Sequence, residues 1–295
     1  MDWRQKATAF RIIDRLPFGS TVHYLLQKHV TRTVPRPLVD YPRYTNESFA
    51  ILDVLRDRIE AGEQQYFEFG AGWDLFHNLL LYCFGVQRQF LMDLTAHMRP
   101  ELVNEVIRNF QRNPPRKARR IPDKLLTDAA LDELREHYGI TYHAPSDARL
   151  SPLNSGSVGL ASTINTLEHV PFDHLAAILH ELKRICSPSA RIAMQIDYSD
   201  HYSHADQSIT PYNFLRFSES QWKRYNTHSH YQNRRRHSDY RTAFLNAGFR
   251  IVSENIRRPE NWEDLLTSVP LDGEFRAYDR MDVGITSAIF SLQPA

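Results

Sequence analysis

The stretch QQYFEFGAGWDLFHNLLLYCFGVQRQFLMDL, Gln64 to Leu94, decides the fold. QYFEF reads as a short strand, because aromatic residues crowd it and a glycine closes it. Gly70 and Gly72 then form a turn, WDLFHNLLLYCFG is apolar enough for a buried helix ending at Gly85, and RQFLMDL supplies the next strand. Strand, turn, helix and strand make one unit of a parallel sheet. Such sheets bind ligands beyond the carboxyl ends of their strands, so the glycine turn is the first place to seek a site.

The alternation continues outward. A helix is expected from near Asn46, whose side chain can cap it, through ESFAILDVLRDRIEAG to Gly62. After the opening unit, ITYHAPSDA reads as strand and turn, GSVGLASTINTLEHV as a buried strand, and DHLAAILHELKRIC as a helix stopped by Ser187 and Pro188. ARIAMQIDYS, FRIVSENIR and DVGITSAIFSL are further strands, with DYRTAFLNAG a helix among them. These elements predict an α/β fold with a doubly wound, mostly parallel sheet of seven strands. Residues 1–45, where TVPRPLVDYPRY is expected to be irregular, form an N-terminal cap, and 46–295 form the main domain. Segments 99–139 and 200–238 read as insertions, the first lying outside the core layers.

Composition excludes several classes. With 42% hydrophobic and 24% charged residues, the 295-residue chain can bury a large core. Its 36 basic and 35 acidic residues nearly cancel, which gives no support for a nucleic-acid partner. RKARR, Arg116 to Arg120, lacks the interleaved aromatics of a strand-binding groove. Two cysteines, Cys83 and Cys186, exclude a disulfide framework and fit a reducing compartment. No apolar run is long enough for a membrane helix, and Met1 to Ser20 lacks the apolar middle of a cleavable signal, so a cytoplasmic location is expected.

Two ligands use a glycine turn of this kind. A dinucleotide fingerprint needs a third glycine where Leu75 stands, and a pyrophosphate would meet Glu68 and Asp74. S-adenosyl-L-methionine carries a sulfonium, an ammonium and one carboxylate, so acids around the turn suit it. Asp93, at the end of the second strand, is placed to accept hydrogen bonds from both ribose hydroxyls.

With FEFGAGWD, Asp93, APSDA and STINTLEHVP in this order, the chain resembles the class I S-adenosylmethionine-dependent methyltransferases over roughly Asn46 to Leu292. FLRFSESQW and NRRRHSDYRTAFLNAGF are similar to bacterial members that modify glycans and secondary metabolites. The resemblance implies that Glu68 holds the methionine ammonium, Gly70, Ala71 and Gly72 shape the turn, and Asp93 binds the ribose. It places Asp147 and Ala148 at the adenine amine and Thr163 to Asn165 under the methionine moiety. The family often has a glycine where this chain has Asp74.

Methyl transfer to oxygen needs an oriented hydroxyl and a group to take its proton. His169, beside Glu168 after the fourth strand, is the first candidate base, or else a residue that orders its loop; His201 is the second. His201, His204 and Asp206 mix nitrogen and oxygen donors, but their spacing matches no defined zinc pattern, so a polar substrate loop is expected there and no metal. Tyr212, Arg216, Asn233 and Arg234 are expected to bind a small-molecule or glycan acceptor, through arginine forks and aromatic faces. The alternatives are a cofactor-binding protein without catalysis, an NAD-dependent oxidoreductase, and an RNA methyltransferase.

Overall fold

The computed structural model describes residues 2–16, 19–31 and 34–295. Seven strands form one sheet in the order β3-β2-β1-β4-β5-β7-β6. They are β1 (Gln65–Phe69), β2 (Arg88–Met92), β3 (Ile140–His143), β4 (Val158–Ile164), β5 (Cys186–Asp197), β6 (Phe249–Arg257) and β7 (Ser287–Pro294). The first five pair in parallel, and β7 runs antiparallel to both β5 and β6. From β1 the chain moves outward to β2 and β3 and then returns to β4 on the other side. The carboxyl ends of β1 and β4 therefore flank the switch point, where an open α/β sheet has room for a ligand.

Alternation along β1 sends Tyr66 to one face and Phe67 and Phe69 to the other. On the first face pack α3 (Tyr41–Glu60), α4 (Phe76–Cys83), α5 (Pro100–Arg112) and α6 (Ala130–Tyr138). On the other lie α7 (Phe172–Ile185) and α9 (His237–Asn246), with Leu179, Leu182 and Phe244 fully buried. A third core joins α1 (Trp3–Ile13), which α2 (Gly19–Leu26) follows, to the chain after β5: Trp3, Phe10 and Ile13 meet Tyr202, Tyr212, Phe214 and Trp222, the last in α8 (Glu219–Trp222).

Several sequence expectations need correction. Segment 99–139 is no appendage, since Val103, Val106, Ile107 and Phe110 of α5 and Leu134 of α6 belong to the first core. Helix α3 begins at Tyr41, five residues before Asn46, with Pro42 in its first turn, where its missing N–H costs nothing. Helix α4 begins only at Phe76, after Leu75, so Trp73 and Asp74 remain in the turn. Ser187 and Pro188 do not separate α7 from its strand: the chain enters β5 at Cys186. Between the Val158–Cys186 and Leu160–Arg191 pairs the ladder with β4 is interrupted, so Pro188 removes no ladder bond. Thr33, which opens the irregular stretch, lies outside the described residues. Among the described residues no helix is long and apolar enough to cross a membrane.

Trp3 anchors the N-terminal helix. It is 1% exposed, with the rings of Tyr202, Phe217 and Tyr225 4.6–5.9 Å away, and its amide donates to Asp206 Oδ2 at 2.8 Å. Trp3→Ala should cost about 3–5 kcal/mol through the cavity it leaves, read as a lower urea midpoint.

Candidate active site

Glu68 shares its sheet face with Tyr66 and so points under the glycine turn toward α4. Its Oε2 accepts from Tyr66 Oη at 2.7 Å and from Asn78 Nδ2 at 2.6 Å. Ser162 of β4 lies 2.6 Å from the same Tyr66 hydroxyl, locking the two strands at this level. Burial raises the carboxyl's pKa to about 7, against the lowering pull of these donors.

The turn above it needs its glycines for different reasons. Gly70 has φ +78°, and a Cβ there would collide with the Thr166 side chain; Gly72 has φ +79° and open space around it. Leu75, in the third-glycine position of a dinucleotide fingerprint, is fully buried with φ +52°. Asp93 faces the turn and is buried, with its pKa raised to about 6 by that burial. Tyr142 Oη of β3 donates to its Oδ2 at 2.8 Å, and the amides of Gly70, Ala71 and Gly72 also favour its charge. Glu68 and Asp93 thus bracket the turn as two buried carboxylates.

Beside it, Thr163 Oγ1 donates to Phe69 O at 3.0 Å, and Asn165 takes φ +49° with its amide on Gln195 O. Asp147 follows β3, and Ser146 N donates to Asp93 O at 2.8 Å, which brings that loop to the second strand's end. Ala148 packs against the second core. The Asp147 carboxylate meets Arg149 at 2.6 Å. Such a partly exposed pair adds little to stability.

At the ends of β4 and β5, Glu168, His169 and His201 converge, each offering a donor atom within 4.8 Å of the others. Glu168 is 1% exposed. His169 is solvent-accessible but recessed among protein groups; this environment, with His201's ring 5.0 Å away, pushes its pKa down to about 4. Its Nδ1 donates to Tyr231 O at 2.6 Å, which leaves a lone pair on Nε2. Asp197 Oδ2 lies 3.4 Å from His201 Nε2.

The expected acceptor residues fare differently. Tyr212 is fully buried, its hydroxyl donating to Gly284 O at 2.7 Å, so it offers no face to a ligand. Arg234 is buried and spends its guanidinium on Phe214 O and Phe217 O and on Glu219. Asn233 donates to Leu167 O and Val170 O, and its amide to Glu168 O at 2.7 Å, so it staples the turn that carries Glu168 and His169. Asn233 and Arg234 still line a small cavity of about 230 Å³ with Tyr231 and Phe172. Arg216 is exposed beside Phe217. The aromatics of this segment form a core rather than a stacking face because helix α1 covers them. His201, His204 and Asp206 do not share one centre: Asp206 is bound to Trp3 N and Ser208.

Sequence reasoning missed Tyr66, Asn78 and Tyr142, which hold the two acids, and Arg36, which answers the question of Asp74. Arg36 forks onto Asp74 and stacks on Tyr44, while Tyr24 stacks on Trp73 at 5.5 Å and donates to Glu101. The N-terminal segment is tied down on the turn by these contacts. An acid and a tryptophan left in the turn, and an arginine, Arg36, set between two prolines in the N-terminal arm, were the available signal.

No protein-family model matches the chain, and no curated protein is significantly similar to it. Solved structures do match. The geranyl diphosphate C-methyltransferase of Streptomyces coelicolor A3(2), with Mg2+, geranyl diphosphate and S-adenosyl-L-homocysteine, aligns over 89% of this chain and 86% of its own at 12% identity and a TM-score of 0.50. An S-adenosylmethionine-dependent methyltransferase from Mesorhizobium loti covers 86% of this chain and 97% of its own at 13% identity and a TM-score of 0.47. The chain has the class I methyltransferase fold, by its strand order and by the first of these superpositions.

Gly70→Ala should cost about 2–4 kcal/mol, from the left-handed backbone and the collision with Thr166 together. Gly72→Ala, with space for its Cβ, should cost less; paired urea unfolding curves compare them.

Proposed function

We propose that the protein is an S-adenosyl-L-methionine-dependent methyltransferase acting on a hydroxyl of a small polar metabolite or glycan. The observation that carries this reading is the pair of buried carboxylates, Glu68 and Asp93, on either side of the glycine turn. Two negative groups held against desolvation are suited to a cationic ligand, with Glu68 at the ammonium and Asp93 at the ribose hydroxyls. The adenine then reaches Asp147 and Ala148, and the methionine chain lies over Thr163 and Asn165. The S-adenosyl-L-homocysteine bound by the Streptomyces enzyme of the same fold supports this cofactor.

The acceptor hydroxyl sits before the Glu168–His169–His201 cluster. Its oxygen lone pair attacks the methyl carbon in line with the carbon–sulfur bond; as the O–C bond forms, the C–S pair returns to sulfur. His169 Nε2, kept as a lone-pair nitrogen by the bond from Nδ1 to Tyr231, takes the hydroxyl proton. Arg120 spends its guanidinium on Tyr82 O and Val86 O, which weighs against RKARR as a nucleic-acid patch. The two free buried cysteines fit a cytoplasmic setting.

The cofactor assignment is checked by calorimetric titration with S-adenosyl-L-homocysteine. The folded chain retains the Glu68 proton that the unfolded chain releases from pH 4.5 upward, so unliganded stability falls as pH rises toward 7. An ammonium ligand favours the ionised carboxylate, so affinity should be about tenfold weaker at pH 6 than at pH 8, with proton release on binding. Asp93→Ala should weaken binding at least about tenfold, the loss of a charged hydrogen-bond acceptor, and unchanged binding would remove Asp93 from the site. His169→Gln should lower kcat by about a hundredfold or more without changing that affinity. The acceptor itself is sought by labelling a deletion strain with methyl-labelled methionine and identifying the metabolite or glycan that loses its label.

A further inference from the structure

Glu168 is the least expected side chain in the molecule. It is 1% exposed, and neither carboxylate oxygen has a hydrogen bond of good geometry; only the backbone amides of Glu168 and Asp197 are near enough to favour its charge. The charge that bears on it most is that of Asp197, another carboxylate. Two acids and two imidazoles therefore face one another at the ends of β4 and β5, and among the described residues no lysine or arginine ion-pairs with Glu168. Burial raises its pKa well above the usual carboxylate range, so without a cation it is held as the neutral acid, and a bound cation would displace that proton.

We propose that Glu168, His169 and His201 bind one divalent first-row transition-metal ion. Their donor atoms lie within 4.8 Å of one another, and an ion bound tetrahedrally at about 2.0–2.2 Å would draw them to about 3.3–3.6 Å. His169 has the backing group of a ligating imidazole, its Nδ1 donating to Tyr231 O at 2.6 Å, and Asp197 Oδ2, 3.4 Å from His201 Nε2 but not hydrogen-bonded to it, is near enough to become one for His201. Asn233 fixes the turn through Leu167 O, Glu168 O and Val170 O, so both consecutive ligands are held by one staple. Two nitrogens and one carboxylate oxygen suit zinc, iron or cobalt better than magnesium or calcium. Three protein ligands leave a position for an exogenous oxygen.

The proposal rests on the methyltransferase reading in one respect only, the identity of that oxygen as the acceptor's. Bound there, the hydroxyl would be acidified and would release its proton to solvent, which reaches the cluster at the exposed His169, and His169 would serve as a ligand instead of as the base.

Metal-stripped protein, without any S-adenosyl compound, is titrated with Zn2+ by calorimetry and with Co2+ by visible absorption. Wild type should bind one ion per chain tightly, show cobalt bands of a site with nitrogen ligands, and unfold at a higher temperature with zinc. Glu168→Gln, His169→Gln and His201→Gln should each weaken zinc at least tenfold, whereas His204→Gln, outside the cluster, should not. Circular dichroism and S-adenosyl-L-homocysteine affinity verify that each variant is folded. Absence of a tight site in wild type, or zinc affinity unchanged in folded Glu168→Gln and His201→Gln, would overturn the proposal. Failure of S-adenosyl-L-homocysteine to bind a protein with an intact zinc site would overturn the methyltransferase reading instead.

Discussion

Glu68 is sealed at the carboxyl end of a central parallel strand, with a glycine turn folded over it, and the elements around it are arranged by that constraint. A carboxylate in such a place must be given donors, and Tyr66 supplies one from its own strand while Asn78 supplies another from the first helix after the turn. Ser162 ties the same hydroxyl to the neighbouring strand, so the position of the acid depends on the β1–β4 pairing that also creates the switch point. These donors only partly offset burial, and the acid keeps a pKa of about 7. A positive group bound beside it would relieve a cost that folding alone leaves in place.

The site is closed by parts of the chain far apart in sequence. Helix α1 and the segment after β5 share one core, and the arm that leads into α3 is fastened to the glycine turn through Arg36 and Asp74. The aromatic residues between 200 and 238, Tyr231 excepted, are consumed by that packing. Buried arginines go the same way: Arg236 donates to the carbonyls of Tyr198, Val283 and Ile285, and Arg234 to those of Phe214 and Phe217. A charged side chain on backbone carbonyls in a core orders loops, and this is how an irregular segment forms a firm wall beside Glu168 and His169.

The strands and the glycine turn were legible because each rests on local rules: aromatic content, glycine at positive φ, and alternation along a strand. Glu68 and Asp93 were legible as acids flanking that turn. The start of α3 was not, because proline in a first helical turn and proline in extended chain look alike in sequence. Segment 99–139 was misjudged since its exposed basic loop, Arg116 to Arg119, masks a helix with one strongly apolar face. Tyr212 and Arg234 looked like ligand residues because composition cannot distinguish an aromatic and basic binding face from a core built of the same residues.

By itself, then, the sequence determined the alternating α/β order, the turn and the sign of charge around it, all consequences of neighbours along the chain. Tertiary structure decided which polar groups are spent and which remain available. Asn78, Tyr142 and Arg36 acquire partners only when strands 3, 2, 1 and 4 are laid side by side and the N-terminal arm crosses the turn. Glu168, one acid among 35 acidic residues in the sequence, becomes distinctive only when folding removes water from both its oxygens and sets two histidines beside it. Desolvation and convergence are properties of the packed chain, and no window of sequence contains them.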